Sequence, residues 1–306
     1  MRFLMAQDSD IELVKTAGFE VLEILNGETD IEEILIHASP EDGPLLLDSY
    51  AFNAGYLEML RQAGYRVAIF EDGNRLELYR CDMVVDSAPK ADSLAYYGLP
   101  ETRFYLGSDY FPLHPEFRNL AQPKAIHETP KTIVVTFGGS DNDDVTSRVL
   151  NAIADINGDF DTVTILGPAY SGQAEDVAEN DLRVRLHRNV TSMAALLGSG
   201  DIAVSSGGNT ASELAFLGIP MILLSLSPDQ DRVAEALSNA GAAIYLGHHD
   251  QVGEATITET VGTLIDDHDQ REKMSRAGLE LIDGKGAERI ADAILSLMMD
   301  TAGETA

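Results

Sequence analysis

The chain has 306 residues, and its 51 acidic and 21 basic side chains give a formal net charge of −30 at pH 7. So negative a protein repels polyanions, which argues against nucleic acid and anionic membrane surfaces as partners. The charge suggests a halophilic or high-salt cytosol, and the alternative is an acidic protein of a mesophile. The single cysteine, Cys81, excludes an intramolecular disulfide and a cysteine metal cluster, and we expect it to be a small buried residue.

The order of apolar runs predicts two α/β domains. Strand-like runs alternate with helical patterns along the chain, which favours doubly wound parallel sheets covered by helices on both faces. Pro123 and Pro130 interrupt this pattern, so we predict one domain over 1–122 and a second over 123–306. No apolar run reaches the roughly 18 residues of a membrane span, and no signal peptide is recognisable, so we expect a cytoplasmic protein.

The first half of the chain places polar residues directly after apolar strands. Strands are predicted at 1–6, 19–24, 45–50, 67–72 and 80–86, with a helix at about 8–17. Open parallel sheets bind ligands at the carboxyl ends of their strands, so Tyr50 is a candidate site residue through its hydroxyl group. Asp48 and Asp72 are candidate bases for water, although acidic residues at strand ends also cap helices. The alternative for Tyr50 is a loop aromatic that packs against its neighbours.

A glycine turn follows the strand predicted at 133–137. Gly138, Gly139 and Ser140 come directly after the apolar run IVVTF, and an apolar-periodic helix begins near Val145. Backbone N–H groups in such a turn can face an anionic ligand.

A second glycine turn lies in the segment DIAVSSGGNTASELAFLGIP at 201–220. Gly207 and Gly208 separate a predicted strand from a helix that Asn209 or Thr210 can cap. Glu213 stands about one turn into that helix, where its carboxylate could reach sugar hydroxyls beside a phosphate. The alternative is a glycine turn between a core strand and a core helix, with Glu213 in solvent. Neither turn has the G-x-G-x-x-G or G-x-x-x-x-G-K-[ST] pattern, which argues against NAD and ATP.

The last third of the chain offers no convincing metal site. His248, His249 and Asp250 are adjacent, but no third ligand stands at helical spacing, so we interpret them as a solvated loop and predict no metal. The final helix, predicted at 287–299, carries an apolar stripe that we assign to core packing rather than to membrane attachment, formed by Ile290, Ile294, Leu295 and Met298.

Together these motifs resemble the UDP-sugar hydrolase of pseudaminic acid biosynthesis and its spore-coat polysaccharide relatives, which have a GT-B glycosyltransferase-like fold. The resemblance is carried by both glycine turns, by LLLDSY, VAIFED and RCDMVVD, and by the segments LGSDYFPLHPEF at 106–117 and IDGKGAERI at 282–290. It is collinear from about residue 10 to residue 298. It implies two Rossmann-like domains, a UDP-sugar as substrate, no cofactor and a metal-independent reaction that inverts the anomeric centre.

The resemblance also assigns roles to individual residues. Glu213 would hold the ribose hydroxyls, Gln230 would face the sugar, and Val190 to Met193 would contact the uracil through the backbone. Met193 also fits an ordinary amphipathic helix, so we expect its side chain to be core. The diphosphate would lie on Gly138, Gly139, Ser140, Gly207, Gly208, Asn209 and Thr210. Two positions depart from the family pattern: Asp229 stands in place of asparagine, and Ser49 in place of histidine.

A further departure concerns the amino terminus. Family members begin with a strand and a G-x-G-H-x-x-R loop, whereas residues 1–6 correspond to the family's second strand. We therefore expect the first domain to lack its first strand, to be the less stable one, and to catalyse slowly without the histidine, unless an upstream start codon restores it. Three functions stay open: a UDP-sugar hydrolase, with Tyr50 and Asp229 as catalytic candidates; a glycosyltransferase of the same fold; and a noncatalytic UDP-sugar-binding protein.

Overall fold

The computed structural model describes residues 1–6, 11–24, 31–120, 125–139 and 141–299. The described chain forms two compact units. Unit 1 takes 1–87, 91–110 and the chain from Glu288, and unit 2 takes 88–90 and 111–287. The predicted boundary at 122/123 falls among residues outside the described ones and stays a prediction.

The helices and strands alternate along the described chain, as the apolar pattern predicts. The strands are β1 Arg2–Ala6, β2 Glu20–Ile24, β3 Leu45–Leu47, β4 Val67–Phe70, β5 Met83–Asp86, β6 Arg103–Leu106, β7 Thr132–Thr136, β8 Asp161–Ile165, β9 Val184–His187, β10 Ile202–Ser206, β11 Met221–Ser225 and β12 Ala243–His248. The helices are α1 Ile11–Thr16, α2 Ile31–His37, α3 Ala54–Gln62, α4 Pro115–Arg118, α5 Val145–Ala154, α6 Ala174–Asn180, α7 Met193–Ser199, α8 Asn209–Leu217, α9 Pro228–Asn239, α10 Glu254–Asp266, α11 His268–Leu281 and α12 Gly286–Met299.

Unit 1 contains two separate parallel sheets among its described residues. One has four strands in the order β3-β4-β5-β6, and the other is the pair β1-β2. Helix α3 begins at the N-cap Asn53, whose side chain accepts from two backbone N–H groups, and buries Tyr56, Leu57 and Leu60. This apolar face packs with Val67, Ile69 and Val84 to form a core on one side of the four-stranded sheet.

Helix α12 covers the other side of the four-stranded sheet. Its residues Ile290, Ala293 and Leu297 are buried with Ala68 and Val85, as the predicted core role requires. The predicted stripe is wrong at two positions, because Leu295 and Met298 are 55% and 43% exposed. The buried residues follow i, i+3, i+7 spacing, which turns both of those side chains away from the sheet.

Unit 2 is built on a six-stranded parallel sheet in the order β12-β11-β10-β7-β8-β9. The central strands β10 and β11 are buried along their whole length, as expected of parallel strands covered on both faces. Two apolar clusters fill the faces: one lies mainly under α5 and α10, and the other under α7, α8 and α9.

Two further expectations concern single features. Cys81 is buried as predicted, and burial raises the pKa of its thiol to about 12, so the thiol is unreactive at neutral pH. Over the described ranges, no helix combines the length and the apolar character that a bilayer span requires.

Candidate functional site

The two glycine turns lie at the same edge of the unit 2 sheet. β7 and β10 are adjacent parallel strands, with Val135 in register with Val204. The carboxyl end of each strand leads directly into its turn, Gly138–Gly139 after β7 and Gly207–Gly208 after β10. Because parallel strands end at one edge, the fold brings these two predicted phosphate-binding turns together.

The turn after β7 is open to solvent on its ligand-accessible side. Gly138 has φ +81°, a conformation that favours glycine, and a Cβ added at Gly138 or Gly139 would meet nothing within 4 Å. Ser140, predicted to contact the diphosphate, lies outside the described residues. The space beside both glycines can therefore admit a ligand to the backbone.

The start of α5, by contrast, is already occupied by a side chain. Asp141 accepts hydrogen bonds from the backbone N–H of Val145 at 2.9 Å and of Thr146 at 2.7 Å. A carboxylate thus takes the place at this helix start that a phosphate group would need. Any anion bound after β7 must use the glycine turn itself rather than α5.

The turn after β10 needs glycine for packing. A Cβ on Gly207 would lie 2.5 Å from the carbonyl oxygen of Gln230 at the start of α9. The Gln230 side chain accepts from the backbone N–H of Leu226 at 3.0 Å, and its amide nitrogen is 3.7 Å from where a Gly208 Cβ would be. The predicted sugar-facing Gln230 is therefore held beside the predicted phosphate turn.

Helix α8 begins without a side-chain cap, contrary to the expectation for Asn209 or Thr210. Gly208 occupies the N-cap position, and Asn209 is the first helical residue. The first N–H groups of a helix have no acceptor within it, so this end of α8 retains donors for an anion. Glu213 lies half-buried in the second turn; burial, with added repulsion from Glu116, raises its pKa to about 7.

The predicted nucleobase turn precedes α7. Asn189 adopts φ +51°, and Ser192 caps α7 by accepting from the backbone N–H of Ala195 at 3.3 Å. The side chains of Val190 and Met193 are partly buried and pack against the core under α7 and α8. Met193 is thus a core side chain, as expected.

Asp229 and its neighbour Asp231 differ in their surroundings. Asp229 is exposed in the first turn of α9, where the helix dipole favours a carboxylate. Asp231 accepts from the hydroxyl groups of Ser225 and Tyr245, the latter at 2.6 Å, and these bonds lower its pKa. Sequence reasoning missed this network, since its members come from two strands and a helix.

The solvated-loop interpretation of the histidine pair is wrong for His249. His249 is 8% exposed in a short 3-10 turn after β12, its ring stacks on His248 at 4.7 Å, and its carbonyl accepts from Arg148 at 2.6 Å. His248 is bound to Asp250 at 2.8 Å, which raises the pKa of the imidazole. Burial of His249 depends on α5, which no local pattern around residue 249 reveals.

The carboxyl edge of the four-stranded sheet in unit 1 carries a second polar cluster. Tyr50 is 70% exposed, and its hydroxyl donates to Asp72 at 2.7 Å. The guanidinium of Arg75 lies 4.9 Å from the Tyr50 ring centre and 5.0 Å from that of Phe52, while it binds Glu71 at 2.9 Å. Tyr50 is therefore a fixed, exposed aromatic and not a core residue.

Carboxylates dominate this edge of unit 1. Asp48 follows β3 and Asp72 follows β4; partial desolvation, then repulsion from Asp72, raise the pKa of Asp48. Asp86 at the end of β5 is fully buried and accepts from the hydroxyl of Tyr96 at 2.7 Å. Asp48 and Asp72 thus interact at the ends of adjacent strands.

Comparison with known proteins identifies the fold and the family. The profile of the Glycosyltransferase family 28 C-terminal domain matches residues 132–294, which include both glycine turns, Glu213 and Gln230. The chain belongs to glycosyltransferase family 28. Members of this family bind nucleotide sugars, which agrees with the prediction that the glycine turns of unit 2 bind phosphate.

Two individual relatives show which members of family 28 this chain is similar to. The spore coat polysaccharide biosynthesis protein SpsG of Bacillus subtilis is 26% identical over 259 residues, covering 83% of this chain and 76% of SpsG. A UDP-N-acetylglucosamine transferase acting on N-acetylmuramyl-(pentapeptide) pyrophosphoryl-undecaprenol, from Leuconostoc citreum, is 29% identical over 180 residues, 55% of this chain and 48% of the transferase. This chain therefore spans about half of that enzyme's length.

A solved structure confirms the predicted fold class. MurG of Acinetobacter baumannii superposes with a TM-score of 0.63 at 14% identity, covering 96% of this chain and 99% of MurG. The family 28 chain is thus a GT-B glycosyltransferase-like protein related to SpsG, with parallel sheets of four and six strands.

Proposed function

We propose that this protein hydrolyses a UDP-sugar, releasing UDP and a free amino-deoxy sugar for nonulosonic acid or surface polysaccharide biosynthesis. The observation that carries the proposal is Glu213 in α8, one turn behind an uncapped helix start, in the helix that follows the strand next to the open turn at Gly138. Backbone donors suit a diphosphate, and a carboxylate suits the vicinal hydroxyls of a ribose. Their combination supports a ribonucleoside diphosphate in a protein of net charge −30.

The roles within this site follow from chemistry and position. The turn at Gly138–Gly139 and the start of α8 would hold the diphosphate, and the backbone at Val190–Met193 would bind the uracil. Gln230 would bind the sugar through its side-chain amide nitrogen, because its side-chain oxygen Oε1 already accepts from the Leu226 N–H. No divalent cation is needed where backbone N–H groups stabilise the phosphates by hydrogen bonding.

Hydrolysis requires water to replace the nucleotide at the anomeric carbon. The water oxygen attacks that carbon as the bond to the β-phosphate oxygen breaks; UDP leaves, and a base accepts the water proton. We assign the base to the Asp48–Asp72 pair, because the two carboxylates interact and Tyr50 fixes Asp72 in position. Asp229 is the alternative base, since it is exposed in the first turn of α9.

Titration calorimetry with UDP, in the presence and absence of a chelator, tests the nucleotide site. Glu213→Ala removes the hydrogen bonds that the ribose would donate to a charged carboxylate, and it is expected to weaken UDP binding about ten-fold or more. The matched control is Glu259→Ala, an exposed glutamate on α10, which leaves affinity unchanged. Equal UDP affinity in the Glu213 variant, or binding that the chelator abolishes, contradicts the assignment.

Glycosyl transfer is the second candidate, supported by the transferase relative from Leuconostoc citreum. The two reactions differ in the acceptor of the sugar. In ¹⁸O-labelled water, hydrolysis puts the label on the sugar and none on UDP, and proceeds without an added acceptor. UDP release only on addition of a polysaccharide or lipid acceptor selects the transferase, and UDP binding without turnover under either condition selects the noncatalytic binding protein.

A further inference from the structure

The predicted nucleobase turn is tied to a distant segment of unit 2. The hydroxyl of Ser192 donates to the Glu116 carboxylate at 2.9 Å, across 76 positions of sequence. The same Ser192 oxygen caps α7. A single hydroxyl therefore joins the turn at 190–193, the start of α7 and the short helix α4.

Helix α4 is a firm support for this bond. It begins with Pro115, a residue that favours the first helical position, and His114 caps it by accepting from the Glu116 N–H at 3.4 Å. Phe117 is 1% exposed and packs in the core that also receives Val190 and Met193. Because Phe117 is anchored, the neighbouring Glu116 carboxylate is held on the turn.

We propose that Glu116 is a positioning residue for nucleotide binding, which fixes the turn at 190–193 through Ser192 and places a negative charge beside Glu213. The inference rests on the proposed nucleotide site and adds the residue that shapes it. It also gives a role in nucleotide binding to Glu116, which belongs to one of the segments that carry the family resemblance.

The charge of Glu116 acts directly on Glu213. Burial is the main cause that raises the pKa of Glu213 to about 7, and repulsion from Glu116 is the second. The elements packed against α8 are α7, β10, β11 and α11. The first three contain no titratable side chain. Helix α11 lies against α8 and Gly218 at its end with the uncharged residues Ser275, Gly278 and Leu279. His114 lies 3.6 Å from the second oxygen of Glu116.

This arrangement predicts how UDP affinity changes with pH. Ribose hydroxyls donate to the ionised form of Glu213, so affinity should rise with pH through about 7 and then level. UDP itself titrates near pH 6, and comparing variants at each pH cancels that contribution.

Three variants separate the hydrogen bond from the charge: Glu116→Gln, Glu116→Ala and Ser192→Ala. At pH 8 we expect Glu116→Ala and Ser192→Ala to weaken UDP binding about three- to ten-fold, as measured by calorimetry. Each variant removes the hydrogen bond that holds the turn at 190–193. Glu116→Gln keeps an acceptor for Ser192 and should retain the affinity at pH 8, while moving the midpoint of the pH dependence below that of the unchanged protein. Glu259→Gln is the control for loss of one surface charge.

Carboxyl titration of Glu213 by NMR in ligand-free protein completes the test. A lower Glu213 pKa in Glu116→Gln supports the charge contact independently of UDP. A superimposed titration curve in that variant, or unchanged affinity in Glu116→Ala at pH 8, overturns the proposal while UDP binding still supports the function. Absence of UDP binding by the unchanged protein overturns the proposed function and the binding role of Glu116 together.

Discussion

The carboxyl ends of the strands present different chemistry in the two units. In unit 2 the groups at this edge are mainly backbone: an open glycine turn, an uncapped helix start and the half-buried Glu213. In unit 1 the same edge of the sheet carries side chains, among them Asp48, Asp72 and Tyr50. Backbone amides recognise an anion at fixed distance, whereas titratable side chains move protons. Under the proposed function, we expect unit 2 to supply nucleotide recognition and unit 1 to supply the base.

The largest expected effect tests the chemical role of unit 1. Asp48→Asn and Asp72→Asn should each lower the rate of UDP release by about 10² to 10⁴, the usual effect of losing a general base. UDP affinity measured by calorimetry should stay unchanged in both. Glu77→Gln, at an exposed site in unit 1, is the control. Full activity in both aspartate variants would move the base to Asp229 or elsewhere and remove the division of roles.

The next effect compares the stability of the sheets. In the described part of the chain β1 pairs only with β2, and none of its described side chains is buried, whereas Ile133, Val134 and Val135 of β7 are fully buried. Isolated two-stranded sheets are marginal in water. We expect amide hydrogens of β1 and β2 to exchange at least about 100 times faster than those of β7, as measured by mass spectrometry. Equal protection would show that unit 1 is as stable as unit 2.

Two glycine variants sharpen the description of the unit 2 edge. Gly207→Ala places a methyl group 2.5 Å from the Gln230 carbonyl and should cost about 1–3 kcal/mol of unfolding free energy. In Gly139→Ala the added methyl group lies in open space, so the melting temperature should be nearly unchanged. The same methyl group should weaken UDP binding by blocking the approach of the diphosphate. Denaturant unfolding and calorimetry on both variants check this. Full UDP affinity in Gly139→Ala would exclude that turn as the phosphate site.

The smallest expected effect is on pH-dependent stability. The pKa of Glu213 is about 7 in the folded protein against 4.5 for an ordinary glutamate, so its stabilising contribution is complete below pH 4.5 and is lost as the pH rises through 7. Glu213→Gln should therefore melt a few degrees higher than the unchanged protein at pH 8 and differ little at pH 5. The control Glu259→Gln should have the same melting temperature as the unchanged protein at both pH values. A difference of equal size at both pH values would contradict the assigned pKa.

Much of the fold could be predicted because its strands are local apolar runs. Apolar segments at 133–137 and 202–204 became β7 and β10, and the glycines after them mark the ends of adjacent strands. Period and turn residues carry that information within a short window. The second glycine turn pointed to Glu213 and the family resemblance added Gln230; the matched family region contains both.

The rest depends on contacts between distant residues. Gln230 requires glycine at 207, and Ser192 binds Glu116 across 76 positions. Local periodicity records neither such pairs nor the burial of His249 against α5. For the same reason the predicted stripe on α12 was wrong at Leu295 and Met298: the side of the helix that meets the sheet is set by the partner, here Ala68 and Val85.

The position of α12 in unit 1 has a consequence for synthesis of the chain on the ribosome. Translation delivers β4 and β5 early, but Ile290, Ala293 and Leu297, which bury one face of their sheet, arrive only after all of unit 2 has been made. Until then, that apolar face is uncovered and open to chaperones or to other nascent chains. Unit 2 has no such delay, since its sheet and both of its apolar clusters come from residues 111–282. The emerging protein should therefore complete its second unit before its first.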